Sequence, residues 1–590
     1  MRATLSRSPA ITIKNCQKSI PAPEFSATSC LGLRSATPSV NLFTLAQVSR
    51  ARTSVPWADQ WIVVEDLILR ERGEPLWPML WLSYWGHRLV IPRLLFLADA
   101  RWFSFGSLTW LSLFLQSVHI ALLIALAWLL LRRKPPFLFM MAVVVILNLL
   151  LSPLQMENFV WGMQTMFPLV FVAATGAFLC LSLGSTSNGG PFFVLCIVLG
   201  AISSYTMPNG LLVWPLLLIQ ASYLQQNRRS WWALAGTGTA VTVSYLWHYA
   251  TRPELGMGVG GILRHPVDAV TLLCSIVGSP LRLSIVGDIA VGFVLLVITG
   301  YIFVHALLLP TRERRWFSAL FAVVLFLFLS SFSLVAGRLT IRDLNLASKD
   351  FLPSKYFTMI CLLWASIALL ALSTSQGRKL RARFLCVYGV LFSWLMFANL
   401  ARQLTAAEDS ADVFRGADAV GSALLLDAPD EQLLSVLWPL KQERDERTLF
   451  LRQRGLAMFH EPRATWLGKR VSDVFPPAGY GCTGALEKTV SLNGSSWRVS
   501  GWAWDDRAAR PPDDILLAGA TGHIIGLARG GLRHGYFPGF LVEPEAVLPW
   551  HARFRRSEWL GYVRFEGDLQ RAQVSLYGWF RNEGKLCAIE

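Results

Sequence analysis

Residues 105–134 read FGSLTWLSLFLQSVHIALLIALAWLLLRRK. Residues 105–131 are almost entirely apolar, and as a helix they are long enough to cross a hydrocarbon layer about 30 Å thick. The basic cluster Arg132-Arg133-Lys134 follows directly. Short loops that are rich in Lys and Arg remain on the cytoplasmic side of a membrane. This stretch therefore predicts a membrane-spanning helix and indicates which of its ends lies in the cytoplasm.

The composition of the whole chain is typical of a polytopic membrane protein. Of its 590 residues, 53% are hydrophobic and 16% are charged, whereas soluble domains carry about 25% charged residues. We expect an all-α membrane domain of about ten or eleven transmembrane helices over residues 105–400. The predicted spans are residues 105–131, 137–152, 165–184, 190–205, 208–224, 231–250, 289–309, 316–336, 356–374 and 384–400.

The net charge of +16 does not indicate a nucleic-acid-binding protein. Much of the excess positive charge lies in short loops beside apolar segments, where the positive-inside rule accounts for it. The chain also has no nucleic-acid motif with interleaved aromatic residues. We therefore expect membrane lipids as partners of this chain, and no nucleic acid.

The basic loops predict an orientation. Clusters of Arg and Lys end four spans, near residues 132–134, 228–229, 312–315 and 378–383. If all four clusters are cytoplasmic, the spans alternate correctly only when residues 251–288 make no net crossing. Residues 267–287 are therefore expected to be re-entrant or interfacial instead of forming an eleventh span.

This orientation predicts a multi-pass protein of the plasma (inner) membrane, with everything after residue 400 outside the cytoplasm. Ten spans also place the N-terminus outside, although residues 1–54 contain no apolar segment that could export it. We expect residues 1–54 to be a disordered or misassigned segment, with a first transmembrane helix missing before the outer-face residues 55–104.

The last third of the chain changes character. Residues 401–480 are charged and favour a helical linker region. Residues 481–590 alternate apolar and polar side chains between Gly and Asp turns, which predicts a small antiparallel β domain of the sandwich type. Cys482 and Cys587 are the only Cys pair in this soluble region. If the domain is exported, these two residues could form a disulfide near its ends.

An acidic group lies in residues 55–104, a stretch too charged to span and rich in interfacial Trp. Asp59 is flanked by Trp57 and Trp61, and Glu65 and Asp66 follow. A carboxylate beside an apolar surface is poorly solvated, so it holds a proton more tightly and can act as a general base. Paired acids such as Asp59 and Asp66 could also hold a divalent cation. The alternative is an interfacial helix whose polar face simply carries acids.

Further polar residues gather at the same predicted face. Each also has a plainer interpretation, as a contact to lipid headgroups, a helix cap or a side chain reaching toward water. The broken segment from Ser204 to Gly210 suggests a cavity wall, because irregular backbone at membrane depth needs protein or a water-filled cavity around it. The candidate substrate-binding residues are His87, Arg88, Glu157, Asn158, Arg338, Lys355 and Tyr356.

Five pieces of this sequence resemble uncharacterised bacterial polytopic proteins related to the GT-C glycosyltransferase superfamily. They are WADQW at residues 57–61, HRLVIPRL at 87–94, ENFVWGMQ at 157–164, PNGLLVWP at 208–215, and Arg338 with SKY at 354–356. The resemblance covers roughly residues 55–400.

The resemblance implies a polyprenyl-phosphate sugar as donor. It implies that Asp59 is the catalytic base or metal-site acid, with Glu65 or Asp66 as its partner. Basic residues of such proteins hold the donor phosphate, and this role falls here on Arg338 and Lys355, with His87 and Arg88 as further candidates.

We therefore expect an integral membrane glycosyltransferase that moves a sugar to a glycan, lipid or protein acceptor of the cell envelope at the outer face. No cofactor is required by the sequence, although a divalent cation could take part. The alternatives are a lipid or glycan transporter (flippase) and a non-catalytic envelope assembly protein. A single cavity lined by Asp59, Arg338 and Lys355 would favour the enzyme over the assembly protein.

Overall fold

The computed structural model describes most of the chain after residue 39. Statements about the structure refer to these residues alone. The described ranges are 40–84, 87–185, 189–249, 258–281, 283–307, 314–338, 354–374, 400–533, 556–567, 569 and 573–590.

The first described elements are short helices around a small hairpin. In chain order they are α1 (Val40–Ala51), α2 (Gln60–Glu71), α3 (Leu76–Trp81), β1 (Ser83–Tyr84), β2 (His87–Arg88) and α4 (Val90–Phe103). Helix α1 lies inside the segment 1–54 that was expected to be disordered or misassigned, and residues 40–51 of that segment are helical. Val48 and Ala51 are both 1% exposed, because α1 packs against the long helix formed by Leu400–Leu426.

Twelve helices follow between residues 108 and 374, counted over the described ranges, and the first of them matches the opening stretch of the sequence. Short 3-10 turns connect several of them. The helices are α5 (Leu108–Leu131), α6 (Pro136–Leu150), α7 (Met156–Val160), α8 (Met166–Gly184), α9 (Gly190–Thr206), α10 (Val213–Tyr223), α11 (Arg228–Leu246), α12 (Gly258–Arg264), α13 (Pro266–Gly278), α14 (Ile285–Leu307), α15 (Arg314–Arg338) and α16 (Phe357–Thr374).

Within the described part of the chain, five helices are long and apolar enough to cross a membrane. They match five of the ten predicted spans. They cover Leu108–Leu131, Pro136–Val160, Gly162–Gly184, Arg315–Gly337 and Ser354–Ser373.

The other predicted spans fare differently. Helix α9 has 17 residues and α10 has 11, and at 1.5 Å per residue both fall short of the hydrocarbon thickness. Helix α11 has 19 residues but carries two Arg residues and many Gly, Thr and Ser residues. The span predicted at residues 384–400 lies outside the described residues, apart from residue 400.

Residues 267–287 form most of α13, a 3-10 turn at Ser279–Leu281 and the start of α14. The axes of α13 and α14 are bent by 101°. This geometry fits a broken span or a re-entrant loop, and counting the bent pair as one span raises the number of candidate spans to six.

After residue 400, the described helices come first and the described strands follow. The remaining helices are α17 (Leu400–Leu426), α18 (Glu431–Leu437), α19 (Lys441–Arg454) and α20 (Val471–Val474). The strands are β3 (Gly481–Ser491), β4 (Ser496–Trp504), β5 (Asp514–Ala518), β6 (Ile524–Leu532), β7 (Glu558–Arg564), β8 (Ser575–Phe580) and β9 (Lys585–Ile589).

The β domain is a closed barrel, so the expected sandwich is wrong. Its strands follow the order β3-β4-β7-β6-β5-β8-β9, and parallel pairing of β3 with β9 closes the ring. Period-two alternation of side chains is the same in a barrel and in a sandwich, so the sequence pattern could not distinguish them. A disulfide joins Cys482 to Cys587 beside this closure, with an S–S distance of 2.09 Å. It is the pair that the sequence suggested.

The barrel packs on α17 and shares one apolar core with the helical region. Val420 and Ala423 of α17 belong to the same buried cluster as Leu527 of β6 and Tyr562 of β7. The cluster continues through α1 and α2 to Phe159 in the membrane domain. The barrel is therefore anchored on the side of the membrane domain where α2 begins.

Candidate functional site

A cavity of about 630 Å³ lies where the N-terminal helices meet the membrane domain. Its walls come from α2, the β1–β2 hairpin, α8, α15, α16 and several turns between helices. Both polar and apolar side chains line the cavity. The described polar lining residues are Asp59, Tyr84, His87, Gln164, Asn209, Tyr249, Ser330, Ser333, Lys355 and Tyr356.

Asp59 enters this cavity from the start of α2. It occupies the N-cap position, but its side chain makes no capping hydrogen bond. Instead, Oδ1 of Asp59 accepts a hydrogen bond of 2.8 Å from the Tyr84 hydroxyl. The carboxylate is therefore aimed away from its own helix, which disfavours the interpretation of Asp59 as a plain helix cap.

Glu65 and Asp66 lie elsewhere, because the α-helix turns by 100° per residue and directs them to other neighbours. Glu65 forms an ion pair of 2.7 Å with Arg447 of α19. Asp66 is buried and lies 3.3 Å from Nε of Arg93. Burial raises the pKa of Asp66 to about 6, against the lowering effect of Arg93. Neither acid belongs to the described lining, so the geometry does not support them as partners of Asp59.

The predicted basic pair His87-Arg88 is divided between two environments. His87 lines the cavity. Arg88 is 3% exposed, and its guanidinium donates to the carbonyl oxygens of Trp81 and Trp247. Its backbone N–H donates to the Tyr245 hydroxyl at 3.1 Å. Arg88 thus ties the hairpin to α3 and to the end of α11, while its Nε is buried without a partner among the described residues. Its predicted part in binding a phosphate stays a prediction.

Glu157 and Asn158 contact the turn that carries Lys355 and are not among the described lining residues, so their predicted role in substrate binding stays a prediction. Asn158 is fully buried, and its Nδ2 donates to the carbonyl oxygen of Lys355 at 2.8 Å and to the Thr358 hydroxyl at 2.7 Å. The carboxylate of Glu157 accepts a hydrogen bond of 3.1 Å from the backbone N–H of Lys355. These contacts hold the 3-10 turn Ser354–Tyr356 in place.

Lys355 and Tyr356 both line the cavity. The Lys355 ammonium lies 6.0 Å from the ring centroid of Trp161 and 5.7 Å from that of Tyr356, a range in which aromatic faces attract cations. Within the described residues, its Nζ has no carboxylate oxygen within 4.0 Å. Lys355 therefore brings a positive charge to the cavity that is available to an anionic ligand.

Arg338 is the last residue of α15, and its side chain lies outside what the structure describes. Its neighbour Gly337 and three other residues of α15 (Ser330, Ser333 and Leu334) line the cavity. The C-terminal end of α15, at which Arg338 stands, therefore lies beside the cavity.

Several lining residues had not been assigned a role from the sequence, among them Tyr84, Gln164 and Asn209. Tyr84 precedes the predicted His87 by three positions, but nothing in its local pattern points to Asp59. Gln164 and Asn209 stand in the quoted segments at residues 157–164 and 208–215. Met207, Pro208 and Asn209 lie in the cavity wall, where the broken segment Ser204–Gly210 had suggested one.

A cation site formed by Asp59 and Asp66 finds no support. The two acids are seven positions apart along α2 and face different neighbours. Over the ranges that the structure describes, no group of three or more His, Cys, Asp or Glu residues could hold a metal ion.

No family model, no curated protein and no solved structure matches this chain. The function must therefore be argued from the cavity itself.

Proposed function

We propose that this protein is a membrane glycosyltransferase that moves a sugar from a polyprenyl-phosphate donor to an acceptor hydroxyl of the cell envelope. One observation carries the proposal: Asp59 and Lys355 line one cavity whose remaining walls are largely apolar. The reacting hydroxyl requires a base such as a carboxylate, the phosphate requires a cation, and the lipid requires an apolar surface.

The apolar walls suit a lipid chain. Hydrocarbon placed against such side chains is removed from water, and each buried CH₂ group contributes about 0.8 kcal/mol. Met side chains are unbranched and adapt to irregular shapes. The apolar lining residues are Leu89, Met163, Met166, Phe167, Phe171, Met207, Pro208, Leu211, Leu212, Leu334 and Met359, with Gly337 beside them.

The reaction would proceed as one displacement. Asp59 accepts the proton of the acceptor hydroxyl as its oxygen attacks the anomeric carbon, and the bond from that carbon to the phosphate oxygen breaks. The polyprenyl phosphate leaves with both bonding electrons, and Lys355 stabilises the charge that develops on it. Attack from the face opposite the phosphate inverts the configuration of the anomeric carbon. Tyr84 acts as a positioning residue through its hydrogen bond to Asp59.

The test is sugar transfer by the purified protein in lipid, with a panel of polyprenyl-phosphate sugars and wild-type protein compared with Asp59→Asn. Loss of a general base typically costs 10²–10⁴-fold in rate, so we expect turnover to fall by about that factor. The matched control is Asp473→Asn, which changes an exposed carboxylate of α20 and should transfer sugar like the wild type.

The other outcomes separate the alternatives. Turnover unaffected by Asp59→Asn would remove Asp59 from catalysis. Folded wild-type protein that turns over no donor would overturn the enzyme. If the same preparation moved labelled lipid across vesicles, a transporter would take its place.

A further inference from the structure

Gln164 presents an unsatisfied carboxamide to the cavity. The residue is 1% exposed and lines the cavity. Its side chain has no hydrogen bond to any residue that the structure describes, and its Oε1 is buried without a partner. Burying an unpaired polar group is unfavourable, so the position points to a ligand that satisfies it.

The turn that carries Gln164 lies close to the segments that carry the proposed base and the proposed phosphate site. This 3-10 turn comprises Gly162–Thr165. A Cβ on Gly162 would come within 2.8 Å of Nε2 of Gln60, the residue after Asp59, so the glycine allows the turn to approach the start of α2. The Trp161 ring, directly before the turn, lies 6.0 Å from the Lys355 ammonium. The turn therefore adjoins both segments, and Gln164 lines the same cavity as Asp59 and Lys355.

Asn209 offers a second unsatisfied oxygen. It lies in the 3-10 turn Pro208–Leu212 and lines the same cavity. Its Nδ2 donates to the Ser330 hydroxyl at 3.1 Å, which fixes the orientation of the carboxamide. Its Oδ1 is buried and has no partner among the described residues. This oxygen can accept a hydrogen bond from a ligand hydroxyl.

We infer that Gln164 and Asn209 recognise hydroxyl groups of the transferred sugar, and that this sugar is neutral. The inference rests on the proposed function and adds a substrate class to it. A carboxamide both donates and accepts hydrogen bonds, as a sugar hydroxyl does. The Asp59 carboxylate only accepts, and it would repel a sugar that carries its own carboxylate. Together these groups select a hexose or pentose over a uronic acid.

The experiment compares the best polyprenyl-phosphate sugar with its singly deoxygenated analogues, for wild-type protein and for Gln164→Met. Wild-type protein should use one deoxy analogue with a kcat/KM about 10- to 100-fold lower than that of the parent sugar, which is the effect of one lost hydrogen bond in a closed site. Gln164→Met should lower kcat/KM for the parent sugar by a similar factor and lose the discrimination against that one analogue. Asn209→Leu should lose discrimination at a different ring position.

If Gln164 has only a structural role, Gln164→Met should lower kcat/KM equally for all donors and leave the discrimination against the deoxy analogue unchanged. That result would overturn the inference but not the proposed glycosyltransferase activity. A wild-type preference for a uronate donor would also overturn it. Gln453→Met, an exposed Gln on α19, is the matched control and should behave as wild type. If Gln164→Met does not fold, Gln164→Asn replaces it in the experiment. This variant should also weaken discrimination at the same ring position. Folded wild-type protein without turnover on any donor overturns the proposed function and the inference together.

Discussion

At the scale of single residues, the position of Asp59 depends on strained backbone beside it. Ala58 has a φ of +45°, a conformation that few residues other than Gly adopt. Its backbone N–H donates to the carbonyl oxygen of Leu437 at 3.1 Å, which helps to hold it there. Such strain persists only where the surrounding structure maintains it, and it is frequent at functional sites. Here it aims the next side chain, Asp59, toward the Tyr84 hydroxyl.

Lys355 provides a direct test at this scale. Lys355→Met keeps much of the length and apolar stem of the side chain but removes the charge. If Lys355 stabilises the departing phosphate, we expect kcat/KM for the donor to fall by about 10²- to 10³-fold, with Lys355→Arg retaining part of the activity. The measurement is initial-rate kinetics of sugar transfer in lipid.

Lys488→Met serves as the comparison, because Lys488 is exposed on β3 and should have no effect. Equal activity of Lys355→Met and wild type, with unchanged melting temperatures, would place the phosphate elsewhere and direct attention to Arg338.

At the scale of elements, the breaks between helices provide the chemistry. Gln164, Asn209 and Lys355 each stand on a short 3-10 turn beside a longer helix. Backbone that leaves the α-helix at membrane depth must be enclosed by protein or line a cavity. These turns do both, and they bring polar side chains to a region whose helices are otherwise apolar.

The packing of α2 on α4 depends on pH through Asp66. Its pKa of about 6 in the folded protein, against a reference value of 3.8, means that the native state binds this proton more tightly than the unfolded state. The stabilising effect is complete below about pH 4 and is lost as the pH rises through 6. A shift of this size is worth about 3 kcal/mol.

Asp66→Asn should therefore flatten the dependence of stability on pH between 4 and 7. The measurement is the melting temperature of wild type and variant in detergent across this range. Acids whose pKa is lowered on folding contribute equally to the stability of wild type and variant. Their contributions therefore cancel when the two pH profiles are compared. Glu71→Gln removes an acid of the same helix whose side chain is 44% exposed, and it should leave the pH profile unchanged. Parallel profiles for wild type and Asp66→Asn would refute the assignment.

At the scale of the whole molecule, buried charges join α17 to the barrel. Asp418 of α17 is 2% exposed. It forms ion pairs with Arg463 and, at 3.0 Å, with Arg529 of β6. Asp514 of β5 pairs with Arg581 at 2.6 Å. Burial alone would raise the pKa of Asp418, but the guanidinium groups of Arg463 and Arg529 hold it below its usual range.

Removing one partner of a buried pair leaves the other charge uncompensated, which costs about 3–5 kcal/mol. Asp418→Asn should therefore reduce the free energy of unfolding by about that amount, measured by chemical denaturation in detergent. Asp409→Asn changes another acid of α17, whose side chain is 41% exposed and paired with Arg533. It should cost less than about 1 kcal/mol. Equal losses for the two variants would show that the buried cluster does not hold the barrel in place.

Because the pKa of Asp418 is lowered, its contribution is present above about pH 4 and is lost as the pH falls below that value. This trend is opposite in sign to that of Asp66. The two acids together favour a maximum of stability between about pH 4 and pH 6.

The candidate site could be predicted only in part. Asp59 and Lys355 were identified because a charge beside an apolar segment is costly, and a cost of this kind is visible in a single sequence. Arg88 and Asn158 carry the same local signal, yet their polar atoms bond to backbone carbonyls of Trp81 and Lys355. Sequence shows that a polar group needs a partner, but not whether that partner is protein or ligand.

Properties that depend on neighbouring residues could be predicted from the sequence. These are the apolar helices such as α5, the helical stretch after residue 400 and the alternating strands of the C-terminal region. Each follows from hydropathy or side-chain period over a short window.

The folded structure alone shows which contacts form between distant residues. It closed the strands into a barrel through pairing of β3 with β9, and it separated Asp59 from Asp66 by giving the latter to Arg93. It also brought Asp59, Gln164 and Lys355 into the lining of one cavity. Such choices depend on packing across hundreds of residues, because the partner that satisfies a charge or completes a sheet is set by the fold and leaves no mark on the residues beside it.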